Sequence, residues 1–381
     1  MSQLTIFMRQ WCFAACVGIA CIGAAHAQGV TDSTIVLGQN LSLQSGSNGY
    51  GVAAAAGMKL YFDQVNAAGG VHGRKIVSRI FDDDSKAEKA EANARQLVAD
   101  SVFILFGSID GGPSAAVMKA ANELKVPFFG PLAGAPNLRS PHQPLVFPVR
   151  AEHKDEFEAL MTWGKNTGLK TVGFLRADTP VGQLHLGNVQ RIAKELGLQF
   201  VQDIPFSGDE SDAQIAGWIK SIGVNKPDMV LNHGSATLYT KLVAGAKAAG
   251  LKTTFMAVNS GSSQIAKALG PLANGMVFAQ VVPRPTARKF AITREYQDAA
   301  RKADSKAEFS YGGLEGYMTA KAFAMTLQAN GRDLTRARWL QTMSNSRFDL
   351  GGVVIQYRQG NHEGARFVDL SMVDREGRFL Q

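Results

Sequence analysis

The sequence predicts an α/β protein of two lobes, each a mainly parallel sheet flanked by helices. Three observations predict it. Short β-branched or aliphatic runs alternate with helix-period segments from Thr34 onward, the alternation comes in two series of the same type, and the chain is too long for one small core. Setting aside a 27-residue leader leaves 354 of 381 residues, natural for two lobes of roughly 100 to 200 residues each.

In chain order, Thr34 to Leu41 reads as a strand. Tyr50 to Ala68 reads as a helix with Met58, Tyr61, Phe62 and Val65 on one face. Gly69, Gly70 and Gly73 punctuate its end, because glycine accepts the left-handed conformation that helix termini often need. Lys75 to Phe81 is the next strand, followed by a helix over 86–99, a strand over 102–106, a helix over 114–124 and a strand over 127–130.

The second series has strands near 171–175, 200–204, 229–232 and 254–258, with helices such as 189–196 and 239–249 between them. Leu145 to Arg150, near Pro141, Pro144 and Pro148, is extended and suits an interlobe crossing, as does Val281 to Pro285. Helices over 292–302 and 314–327 follow, then strand-like stretches over 353–357 and 367–373.

Residues 1 to 27 read as a secretory leader: a polar start through Arg9 and Gln10, an uncharged apolar run from Trp11 to Ala25, and Ala25-His26-Ala27 before the cut. The run is short of the about 20 apolar residues a membrane span needs. A buried first helix or an uncleaved anchor are the competing readings. All three cysteines, Cys12, Cys16 and Cys21, fall in this leader, so the processed chain has no cysteine chemistry. Gly18-Ile19-Ala20-Cys21 is similar to a lipoprotein processing box, with glycine at its first position; the cut after Ala27 is preferred, and lipid anchoring through Cys21 is the alternative.

The leader carries one Arg and no acid, so the formal charge falls from +8 to +7 on processing. The basic residues are scattered, which a solvated surface explains and which implies no nucleic-acid partner; steering of anionic ligands is a second reading. GxGxxG, GxSxG, P-loop and HExxH patterns are lacking, so no catalytic set assembles. Asp82-Asp83-Asp84 suggests a metal, but adjacent carboxylates on an extended segment alternate in direction, and a solvated turn is expected instead. The six histidines after the leader, at 72, 142, 153, 185, 233 and 362, show no paired spacing; most are expected on the surface, with His233 alone near a cleft.

Several segments together resemble the type I periplasmic solute-binding proteins of ABC importers, in the branch of the leucine/isoleucine/valine-binding receptors. They are Leu37-Gly38-Gln39, Tyr50-Gly51, Val65 to Ile76 with Asn66-Ala67-Ala68-Gly69-Gly70, the Asp82-Asp83-Asp84 turn, Phe106-Gly107-Ser108, Val126-Pro127 leading to Gly130-Pro131, Val282-Pro283-Arg284-Pro285, Leu314-Glu315-Gly316-Tyr317, and Val368-Asp369-Leu370 with Asp374 to Phe379. The resemblance runs from Ile35 to Phe379. It implies a fold crossed three times, with lobe I from 28–148 and 281–345 and lobe II from 149–280 and 346–381. It also implies a ligand cleft at the carboxyl ends of the strands, closed by hinge motion.

The glycine-containing loop Gly107-Ser108-Ile109-Asp110-Gly111-Gly112-Pro113-Ser114 follows a strand and opens a helix, where backbone N–H groups suit an anionic group; a plain turn with Pro113 at the first helical position is the alternative. In the branched-chain receptors, a serine of this loop holds the ligand carboxylate, and a threonine of the next strand-end loop serves the ammonium and nearby groups. Here Gly111 and Gly134, in Leu132-Ala133-Gly134-Ala135, stand at those positions. The family's ammonium-binding glutamate falls on Asn259, beside Ser260, and a tyrosine one strand earlier falls on Ser235. A neutral amide lacks the charge-assisted bond, worth roughly 1.5 to 3 kcal/mol, that an ammonium group needs, so a carboxylate that is not a zwitterionic amino acid is expected. Asp110 either replaces the lost charge or caps the following helix. Tyr50 matches a tyrosine of the family's cleft and Tyr311 lies near another; ordinary packing is the alternative for both.

The expected function is therefore non-enzymatic: a periplasmic monomer, free of cofactors and metals, that traps a small organic or aromatic carboxylate and delivers it to an ABC permease with ATPase subunits. A branched-chain amino acid receptor, a sensing subunit of a signalling system and a secreted enzyme are the rival classes.

Overall fold

The computed structural model describes residues 28–46, 48–259 and 261–380; the leader, its three cysteines and Ser260 lie outside them. The first half alternates β1 (Thr34–Leu41), α1 (Gly49–Ala67), β2 (Lys75–Asp82), α2 (Ala87–Ala99), β3 (Ile104–Ile109), α3 (Gly111–Leu124), β4 (Phe128–Leu132) and β5 (Val146–Phe147). The strands form a parallel five-stranded sheet in the order β2-β1-β3-β4-β5. Central β3 is buried at all six positions because helices cover both faces, which is why it reads as a continuous apolar run.

The second series is α4 (His153–Asn166), β6 (Thr171–Ala177), α5 (Pro180–Leu196), β7 (Gln199–Phe206), α6 (Asp212–Asn225), β8 (Met229–His233), α7 (Ala236–Ala248), β9 (Thr254–Ala257), α8 (Ser262–Leu269) and β10 (Val277–Gln280). Then come α9 (Ala291–Ala303), α10 (Tyr311–Asn330), α11 (Arg336–Met343), β11 (Ser346–Asp349), β12 (Val354–Arg358), β13 (Asn361–Gly364), β14 (Asp369–Val373) and β15 (Phe379–Leu380). The second sheet has seven strands in the order β15-β14-β10-β9-β8-β6-β7, with β14 and β15 antiparallel additions to a parallel core. Pro205 is tolerated in β7 because that strand is an edge.

Each sheet has an apolar core on both faces, so the two sheets head separate packing units. One core of the first sheet recruits α9, α10 and α11 together with the β11–β13 meander through Phe348, Ile355 and Tyr357. The sequence reading put 346–381 wholly with the second lobe. The meander instead packs on the first unit, where the Tyr357 hydroxyl donates to Pro148 O at 2.8 Å, and only β14 and β15 join the second sheet.

Helix α10 is buried on nearly every side, as its all-round apolar composition requires, and lies against α1. The two backbones touch through glycines: a Cβ on Gly57 would stand 1.9 Å from Gly313 O, and one on Gly316 would stand 2.0 Å from Ala54 O. Among the described residues no helix is long and apolar enough to cross a membrane.

Candidate functional site

The strands of both sheets end toward a shared seam, and the side chains there form a closed, polar cluster. Arg150, just after β5, is its centre. The Arg150 guanidinium donates to Glu156 of α4 and lies 3.6 Å from Glu315 of α10, so one buried cation faces a carboxylate from each unit. Glu315 Oε2 accepts from the Tyr50 hydroxyl at 2.6 Å and from Asn259 Nδ2 at 2.9 Å. Glu156 Oε2 accepts the Asn259 backbone N–H at 2.9 Å. Tyr50 of α1 and Asn259 after β9 are thereby tied to each other across the seam.

Burial dominates the electrostatics. It pushes the Glu315 and Glu156 carboxyls up, against the pull of Arg150, and pushes the Tyr50 hydroxyl well up, helped by Glu315. The charged form of Arg150 loses solvation too, but Glu156 and Glu315 more than restore it. Glu315 Oε1 is buried without a hydrogen bond, and so is Arg150 Nη1.

Three residues singled out from the sequence, Tyr50, Asn259 and Tyr311, line one cavity of about 50 Å³ with Ser262, Gln264 and Ser310. Behind it, Gln280 Nε2 donates to Ser371 Oγ at 3.0 Å. The other sequence candidates fall elsewhere. Ser108 and Ile109 are buried, Ser108 with an unpaired hydroxyl and Ile109 within a core. Leu132 and Ala133 are core residues as well. Gly111 faces Ala135 and, across the seam, Val181.

Asp110 sits before α3 but makes no capping bond. Its backbone is at φ 65°, whereas a capping side chain needs an extended backbone, so the capping reading fails on geometry. Desolvation of its carboxyl, with Asp83 nearby, pushes it up to about 6 against a hydrogen bond from Ser85. Pro113 is likewise not the first helical residue, since α3 starts at Gly111. Ser235 does not face the cavity: its hydroxyl caps α7 by accepting from Leu238 N at 3.2 Å.

Gly134 explains the absent hydroxyl at its position. A Cβ there would stand 2.7 Å from the His153 ring, and His153 N donates to Gly134 O at 2.9 Å. The His153 ring and its backbone N, the latter also 2.7 Å from that carbon, together occupy the space a larger side chain would fill. His153 Nδ1 lies 2.7 Å from Glu156 Oε1.

His153 is one of three. His185 of α5 and His233 at the end of β8 join it, contrary to the expectation that only His233 approaches the cleft. Burial holds His153 and His185 well below the ordinary imidazole range and His233 down to about 4. Linear spacing hid the group because its members come from three separate elements. Arg150, Glu156 and Glu315 escaped for the same reason, although Glu315 stood within a family-like segment.

The acidic turn is not a solvated one. Asp83 is fully buried, accepting from Asn40 Nδ2 at 2.6 Å and Ser42 Oγ at 2.7 Å. Asp82 accepts backbone N–H groups of Leu43, Gln44, Ser45 and Asp84 at 2.9 to 3.2 Å, which lower its carboxyl to about 2 against its partial desolvation. A folded-state value below the unfolded one stabilises above about pH 4 and is lost as pH falls toward 2. Asp82→Ala should therefore cost about 1–2 kcal/mol at pH 7 and progressively less below pH 4, read from urea denaturation at pH 7 and pH 3.

Comparison with known proteins follows the same lines. The sequence profile of the periplasmic binding protein family matches residues 34–378. The leucine-, isoleucine-, valine-, threonine- and alanine-binding protein of Pseudomonas aeruginosa is 26% identical over 234 residues, 60% of this chain and 61% of its own length. An extracellular ligand-binding receptor from Verminephrobacter eiseniae superposes with a TM-score of 0.80 at 24% identity, over 92% of this chain and 100% of that one. An ABC transporter solute-binding protein from R. palustris, solved with benzoate, superposes with a TM-score of 0.77 at 19% identity, covering 91% and 95%. At such identities the structural likeness speaks to the fold alone.

Proposed function

The chain belongs to the periplasmic binding protein family, in the type I branch of the branched-chain amino acid receptors, and from that premise we propose that it traps a small carboxylate in the cleft and delivers it to an inner-membrane ABC permease with its ATPase subunits. The leader read from the sequence assigns it to the periplasm. The observation that carries the ligand class is Arg150: a guanidinium buried at the seam between the sheets, whose Nη1 has no hydrogen bond and only a 3.6 Å contact to Glu315 while Nε and Nη2 are engaged, keeps one charge-assisted donor for a carboxylate oxygen. The neutral Asn259 amide where the branched-chain receptors carry a glutamate removes one ammonium partner. The benzoate-bound neighbour is consistent with this class.

One observation favours a second reading, an α-amino acid. Glu315 restores a carboxylate beside Asn259, and its Oε1 has no hydrogen bond, so an ammonium group would find an acceptor there. A thermal-shift and calorimetry panel separates the two. Aromatic and aliphatic carboxylates should stabilise the processed protein, by about 2.7 kcal/mol at a hundred times the dissociation constant. Tight binding of leucine, isoleucine or valine with no response to carboxylates lacking an amine would install the second reading.

A further inference from the structure

His153, His185 and His233 each bring a ring nitrogen within 4.8 Å of the others. Their ring centroids are 3.9 Å apart for His185 and His233, 4.4 Å for His153 and His233, and 5.1 Å for His153 and His185. Both nitrogens of His185 and Nδ1 of His233 are buried with no hydrogen-bond partner, an arrangement that costs free energy unless another species bonds them. His153 is oriented from behind: its Nδ1 is on Glu156, which leaves Nε2 for the pocket, and a carboxylate backing an imidazole in this way fixes the tautomer of metal-ligating histidines. The Phe157 ring borders all three, giving the dry wall such sites use.

We propose that these three imidazoles bind a first-row transition-metal dication of the Zn²⁺ class, leaving a fourth position for water or an oxygen of the solute. Borderline dications with nitrogen ligands fit this donor set, whereas calcium and magnesium demand oxygen. With Zn–N bonds of about 2.0–2.1 Å, tetrahedral nitrogens stand about 3.4 Å apart and ring centroids about 5 Å apart, so the rings must rotate to bring their nitrogens up to about 1.4 Å closer while the His185 and His233 centroids, now 3.9 Å apart, move apart. The site lies at the seam, since His153 also fills the notch at Gly134, and metal binding goes beyond the importer reading without depending on it.

The test uses the metal alone on chelator-stripped, processed protein. Calorimetry with ZnCl₂ should give one equivalent bound, and CoCl₂ should give the intense visible bands of a four-coordinate ion. His185→Phe, which keeps an aromatic ring beside Phe157, should abolish both. Glu156→Gln should weaken affinity about 10- to 100-fold. His142→Ala should leave binding intact; His142 and His362, with centroids 4.6 Å apart, are the rival pair. Retained binding in His185→Phe, loss in His142→Ala, or no one-equivalent binding in the unaltered protein overturns the proposal. If His185→Phe fails to fold, His233→Gln takes its place, and the cobalt spectrum of the unaltered protein decides: octahedral bands alone refute the site. Solute binding by the metal-free protein, together with no one-equivalent zinc binding, would leave the importer reading standing while this site fails.

Discussion

Arg150→Met should destabilise the protein by about 3–5 kcal/mol, measured by urea or thermal denaturation of the processed chain. Arg150 is 3% exposed, and its two partners, Glu156 and Glu315, are 0% and 2% exposed. Methionine fills much the same volume but leaves two buried carboxylates without a cation. Their alternative is to take up protons, which burial already favours, so the loss should be largest at high pH and shrink as the solution is acidified. Adding Glu315→Gln to Arg150→Met removes one of the stranded charges and should recover part of the loss; a strictly additive double variant would mean that the cation and Glu315 are not coupled.

Gly57→Ala should cost about 3 kcal/mol, near the upper end for overpacking, although alanine is ordinarily the better helix former. The added methyl would stand 1.9 Å from Gly313 O and 2.9 Å from Tyr317 N, both backbone atoms of α10, so no rotamer change relieves it and the helices must part. Because α1 carries Tyr50 and α10 carries Glu315, parting them also strains the hydrogen bond between those residues. Solute affinity should fall along with stability. Gly187→Ala in α5 is the control: nothing lies within 4 Å of the added carbon, so it should be neutral or stabilise by about 0.5–1 kcal/mol. Equal melting temperatures for the Gly57 and Gly187 variants would contradict the close helix contact.

The alternation of strands and helices was legible because it depends on local pattern. Strands β1, β2 and β8 fall within a residue of their sequence-read limits, and α1 differs by one at each end. Strand β3 was read two residues early and three short, since Gly107-Ser108 looks like a turn and only tertiary pairing of Ser108 with Pro131 extends it. Helix α5 begins nine residues before its clear apolar period, set by the Thr179 cap on Gly182 N at 3.1 Å rather than by hydrophobicity.

The candidate site divided the same way. Tyr50 came from a matched segment, Asn259 from the position where a family glutamate falls and Tyr311 from lying near a family tyrosine, and the three line one cavity. Ser235 is not among the residues lining that cavity, and its hydroxyl is used by a helix end, which position in the sequence alone does not reveal. Arg150, Glu156, Glu315 and the three histidines meet only because separate elements converge, and no linear spacing encodes that.

His153 seated against Gly134, by ring and by backbone, makes glycine at 134 a condition of how the two packing units meet. A side chain added at 134 collides with the His153 ring and, just as closely, with the His153 backbone N, each 2.7 Å from the new carbon. A threonine at 134 is therefore not accommodated by a smaller side chain at 153 alone; the start of α4 itself has to move away from the loop after β4. Redesign of specificity at 134 has to shift one packing unit against the other, and in doing so gives up the bond from His153 N to Gly134 O.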